Sequence, residues 1–89
     1  MTAPETPAIE FPCDYPIKIV GENQADFEAS VVELTRRHAP EVSDDQVSVR
    51  ASRRGRYASV TIVIRATGEP QLKRLHADLK RHPAVRLVL

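Results

Sequence analysis

Tryptophan is absent from this 89-residue sequence, cysteine and methionine occur once each, and glycine appears only three times. The single cysteine, Cys13, excludes a disulfide within the chain and leaves any metal site without a cysteine pair. No run approaches the roughly 18 apolar residues that a membrane helix requires. Met1 to Glu10 also lacks the basic start and apolar stretch of a secretory signal, so a cytoplasmic chain without membrane contact is expected. Gly55 does not sit in the G-x-x-x-x-G-K spacing of a phosphate-binding loop. Neither a Ser/His/Asp nor a Cys/His arrangement is visible, and the acidic residues gather in the N-terminal segment, the first helix and the Glu41 to Asp45 loop. No catalytic residue and no cofactor are therefore expected.

What is present is ordinary for a globular protein: 42% apolar and 28% charged residues, in a length that holds one core. Net charge is +1, but its distribution is uneven. Met1 to Asp45 contains ten acidic and three basic residues, whereas Gln46 to Leu89 contains two and ten, so the halves carry −7 and +8. Such asymmetry points to an anionic or acidic partner wherever the second half's arginines meet on one surface.

The proline-bearing segment 1–12 is expected to be a flexible tail, with Phe11 pinning its end to a single domain over 13–89. Tyr15, Ile17 and Ile19 alternate with Lys18 and Val20, which predicts a half-buried strand ended by Gly21. Asn23 and Asp26 predict the start of a helix over Gln24 to His38, with Phe27, Val31 and Leu34 as its buried stripe and Pro40 beyond its end. Val47, Val49 and Ala51, then Val60, Ile62 and Ile64, mark two strands joined by Arg53-Arg54-Gly55-Arg56, with Gly55 supplying a positive φ. Thr67 is the expected cap of a second helix bearing Leu72, Leu75 and Leu79, and Val85, Leu87 and Leu89 are expected to share one face of a last strand.

The order β-α-β-β-α-β predicts an α+β fold, a ferredoxin-like βαββαβ sandwich with a four-stranded antiparallel sheet and two helices on one face. The other sheet face is left open. By alternation it carries Val20, Val63 and Val88 among Lys18, Ser48, Arg50, Thr61, Arg65 and Arg86, a mixed surface suited to a protein partner. A second candidate site lies at one end of the sheet. There the topology brings Gly21, Glu22 and Asn23 near Arg53, Arg54, Gly55 and Arg56, with Lys80, Arg81 and His82 nearby. Backbone N–H groups at a helix start, with guanidinium groups beside them, suit a phosphate or carboxylate. The competing reading gives Lys80 and Arg81 to the helix dipole and the hairpin arginines to solubility.

The stretches E-F-P-C-D-Y-P-I-K-I-V-G, V-V-E-L-T-R-R-H-A-P, S-R-R-G-R-Y-A-S-V-T-I and V-R-L-V-L together resemble the YbeD-like family of bacterial proteins of unassigned function. The resemblance covers nearly all of Glu10 to Leu89 and implies a ferredoxin-like fold related to ACT ligand-binding domains. It also implies a regulatory role and an association with lipoate attachment, with no catalytic residue to carry over.

RNA-recognition domains share this element order, but their open face needs aromatic stacking platforms, and here Tyr57 is the sole candidate. Nucleic acid is therefore not the expected partner. His38, His76 and His82 lack metal-site spacing, and no metal is expected. Two readings follow: a non-enzymatic module that binds an unidentified protein, or an ACT-like homodimer holding a small anionic effector between protomers.

Overall fold

The structure, a computed structural model, describes residues 10–89. The alternation read from Tyr15 to Gly21 extends in both directions, so that β1 spans Cys13–Glu22. It is followed by α1 (Phe27–His38), a single 3-10 turn (Asp44–Gln46), β2 (Val47–Ala51), β3 (Tyr57–Ala66), α2 (Glu69–Arg81) and β4 (Val85–Val88). The sheet order is β2-β3-β1-β4 with every neighbouring pair antiparallel, the expected ferredoxin-like arrangement.

Strict alternation makes β1 and β3 the centre of the core. Ile17 lies opposite Ile62 and Ile19 opposite Val60, and all four are fully buried beneath the helices. Pro16 sits inside this central strand without breaking a ladder. Lys18 exchanges hydrogen bonds with Leu89, which directs the even-numbered nitrogens of β1 toward β4, and β4 pairs with β1 only from Lys18 to Gly21. The nitrogen of Pro16 therefore points to a side where no strand carbonyl awaits a donor, and its missing N–H costs the ladder nothing.

In α1 the buried stripe runs Phe27, Val31, Thr35, with Val32 beside it, while Leu34 is only half-buried. Thr35 tolerates burial because its hydroxyl donates to the Val31 carbonyl at 2.8 Å. In α2, Leu75 and Leu79 are buried and Leu72 packs at the core's margin. His76 adjoins this stripe, and its Nε2 is buried without a hydrogen-bond partner. Gln71 joins the helices: its amide donates to the His38 carbonyl at 2.8 Å, while its oxygen accepts from the Thr67 N–H.

Two expected caps move. The N-cap of α1 is Asp26 and that of α2 is Gly68, neither with a side-chain cap bond, so Asn23 and Thr67 are not the caps. Asn23 is drawn off by a tertiary partner described below. Phe11 packs against the core as expected, while residues 1–9 of the expected tail lie outside the described residues.

Beyond Val85 the last strand has the opposite phase to the one expected. Gly21 pairs with Val85, but Val20 pairs with Leu87 and Ile19 with Val88, which leaves Arg86 as an extra residue in β4. A bulge of this kind reverses which side chains face the core. Val85 and Val88 accordingly pack on the core, whereas Leu87 and Leu89 stand on the open face, 49% and 60% exposed. Val88 is therefore not an open-face residue.

Candidate binding surfaces

The open face is built in rows by the register. One row reads Arg50, Ser59, Val20, Leu87 and the next Ser48, Thr61, Lys18, Leu89 across the strand order. Val63 with Pro16 and Arg65 with Asp14 follow. Of the expected face residues, Lys18, Val20, Arg50, Thr61, Val63 and Arg65 stand where alternation places them. Leu87 and Leu89, missed because the bulge is invisible to alternation, replace Val88. Arg65 pairs with Asp14 at 3.3 Å, and Arg86 pairs with Glu22. Lys18 and Arg50 have no ion-pair partner among the described residues.

At the hairpin end, Gly55 adopts φ 73°, the left-handed conformation its turn requires. Asn23 docks onto that turn: its backbone N–H donates to the Arg56 carbonyl at 2.9 Å and its side-chain amide to the Gly55 carbonyl at 3.0 Å. The structure thus brings Asn23, Gly55 and Arg56 together, but it separates Asn23 from the helix dipole. The N-terminal turn of α1 instead carries Asp26 and Glu28, an acidic setting that opposes an anion. Arg81 leans toward Asp78 at 3.7 Å, and Lys80 is exposed. Arg53, Arg54 and Arg56 are exposed and without ion pairs among the described residues.

Folding also joins residues that no sequence spacing links. His82 accepts the Ala84 N–H at Nδ1 (3.1 Å) and lies 2.8 Å from the Ser30 hydroxyl through Nε2. Because Nδ1 is an acceptor, Nε2 carries the proton and donates to Ser30, whose own hydroxyl donates to the Phe27 carbonyl. A serine hydroxyl that accepts a hydrogen bond from its histidine is not being deprotonated by it, so this pair serves as an interhelical tie. The ring also meets Phe27 edge-on, with centroids 6.0 Å apart. Nitrogen-15 NMR is expected to find the Nε2–H tautomer at His82, and H82A is expected to lose about 1–2 kcal/mol of stability. An Nδ1–H tautomer would contradict the assignment.

At the other end of α1, His38 Nε2 lies 2.6 Å from Asp78. That hydrogen bond, more than any other contact, holds the Asp78 carboxyl below its ordinary value; burial works against it, and the charges of His38, Arg81 and Arg37 reinforce it. A carboxyl whose folded pKa is depressed stabilises the fold above its unfolded pKa, and that contribution is lost as pH falls through the folded value. D78N is therefore expected to be less stable than wild type at neutral pH, with the difference closing in acid. Denaturant melts across that range check it, and a difference that persists in acid would contradict it.

Among the described residues no group of three or more His, Cys, Asp or Glu side chains is placed to hold a metal, and no helix is long and apolar enough to cross a membrane. Cys13 lies half-buried at the start of β1.

Residues 6–89 match the family of proteins of unknown function designated DUF493. The chain belongs to this family. Its relatives include a UPF0250 protein of Hahella chejuensis, 45% identical over 96% of this chain and 93% of that protein, and one of Nitrosomonas europaea, 44% identical over 96% and 98%. These are the YbeD-like proteins expected from the sequence stretches. Among solved structures, this DUF493 chain is similar to protein HP0495 from H. pylori, with a TM-score of 0.73 and 14% identity over 96% of this chain and 89% of that one. It is also similar to the ACT domain from the GTP pyrophosphokinase of Chlorobium tepidum, with a TM-score of 0.66 and 16% identity over 86% and 97%. At these identities the structural likenesses establish the fold of the DUF493 chain alone.

Proposed function

We propose that this chain is a non-enzymatic binding and regulatory module, and that a protein partner docks on its open sheet face. The observation that supports this most is the side-by-side placement of Val20, Leu87 and Leu89 on the side of the sheet away from the core, with Lys18 and Arg50 beside them. Two half-exposed leucines are costly on an unpartnered surface: burying each is worth roughly 1 kcal/mol. The Chlorobium tepidum domain offers an analogy of fold, since its name makes it the ACT domain of an enzyme. A link to lipoate attachment, expected from the resemblance, identifies no residue of this chain.

The hairpin supports a second reading. Arg53, Arg54 and Arg56 beside Asn23 could hold a small anion, as in an ACT-like homodimer with an effector between protomers. Affinity capture from cell extract separates the two, comparing wild type with V20D/L87D and with R53A/R54A/R56A. The proposal expects a specific partner that is retained by the hairpin variant and lost by V20D/L87D, with both variants still folded. Loss on the hairpin variant alone would move the working surface to that edge. Light scattering over a concentration series bears on the homodimer, since a strict monomer excludes an effector site between protomers.

A further inference from the structure

We infer that the partner's docking segment is acidic and carries apolar anchors, an inference that rests on the open-face reading above. The open face separates its charges into two classes. Arg65 and Arg86 are neutralised by Asp14 and Glu22, while Lys18 and Arg50 have no such partner among the described residues. Those two cations line one shallow concavity of about 430 Å³ with the hydroxyls of Ser48, Ser59 and Thr61. A second concavity of about 290 Å³ shares Arg50 and Ser59 and extends the trough to Arg53 and Tyr57. Among the described residues no acidic side chain lines either one. In the groove between α1 and β2 the pattern is reversed, for Glu28, Glu33 and Asp44 line it, with Arg36 the one cation there among the described residues. The basic trough on the open face and the acidic groove between α1 and β2 are therefore opposite in charge.

A basic trough flanked by donors accepts carboxylates, and charge-assisted bonds to lysine and arginine orient them. The apolar part of the site lies beside it. Val20 stands two strands from Arg50 and Leu87 three, so their backbones sit about 10–15 Å from that of Arg50 across the sheet. A segment that sets aspartate or glutamate over Lys18, Arg50 and Arg53 and leucine-like side chains over Val20 and Leu87 satisfies both parts together. Single-stranded RNA would meet the same cations, but Tyr57 is the single aromatic the face offers for stacking, at the hairpin rim.

Selection from a random peptide library on the full-length protein tests this. Wild type is expected to enrich peptides rich in Asp and Glu that also contain large apolar residues. K18E/R50E is expected to bind those peptides roughly tenfold more weakly at low salt, to lose that difference at high salt, and to enrich basic peptides instead. V20D/L87D is expected to lose the peptides that wild type enriches. Enriched peptides without acidic excess, or acidic peptides indifferent to K18E/R50E, would overturn the inference while leaving the open-face reading intact if V20D/L87D still abolishes binding. Peptides that bind V20D/L87D as well as wild type would overturn that reading itself. The inference also fails if no peptide is enriched, or if random single-stranded RNA at moderate salt binds more tightly than the enriched peptides.

Discussion

G21A is expected to cost about 2–3 kcal/mol of stability, measured by denaturant unfolding, although it adds a single methyl group. A Cβ at this position would overlap both the carbonyl oxygen of Ala84 and the ring of Phe27. The carbonyl is backbone and is already engaged, since it accepts the Glu22 N–H at 2.8 Å. The ring is held edge-on by His82 and anchors the start of α1 over the sheet. Neither neighbour can move without disturbing the β1–β4 junction. G68A is the control: its added Cβ would meet only a Pro70 ring carbon, at 3.5 Å, and a change within about 0.5 kcal/mol is expected. Equal effects at the two positions would contradict the close packing at Gly21.

A pair of substitutions in β4 is expected to differ just as sharply. V88D sets a carboxylate against the core beside Ile19 and is expected to destabilise by roughly 2–4 kcal/mol, whereas L87D, on the open face opposite Val20, stays within about 0.5 kcal/mol. Thermal melts of the two variants decide it. The reverse ranking would remove the bulge and return Val88 to the open face. The contrast also bears on function, because L87D is expected to impair partner binding while leaving the fold intact.

These two cases mark where sequence reasoning succeeded and where it stopped. Long strands were legible because β1 and β3 repeat their alternation over many positions and lie against each other without a break. β4 has four residues and one extra among them, so alternation counted from its end lands on the wrong face. Gly21 was readable as a strand end, but its close approach to Ala84 and Phe27 depends on three elements meeting, which local spacing does not encode.

Capping shows the same limit. Asn23 has the chemistry of a helix cap, yet the hairpin's free carbonyl at Gly55, 32 positions away, takes its side chain. The basic hairpin itself was plain in the sequence as Arg53-Arg54-Gly55-Arg56. The acidic first turn of α1 was equally plain; what was not readable is that Asn23 leaves that helix start for the hairpin turn. Conversely, Lys18 and Arg50 are 32 positions apart, and only the strand order places them in one trough. The Ser30–His82 tie, with 52 positions between its ends, left no local trace at all.

The claim on which the rest depends is that the open sheet face receives the partner. Cross-saturation NMR of the labelled protein, with the captured partner unlabelled, reads that contact directly. The account predicts signal loss on the alternating outward positions of β1, β3 and β4, centred on Val20, Leu87 and Leu89 and reaching Lys18. Loss confined to Arg53 through Arg56 and Asn23, or to the outer face of α1, would contradict it.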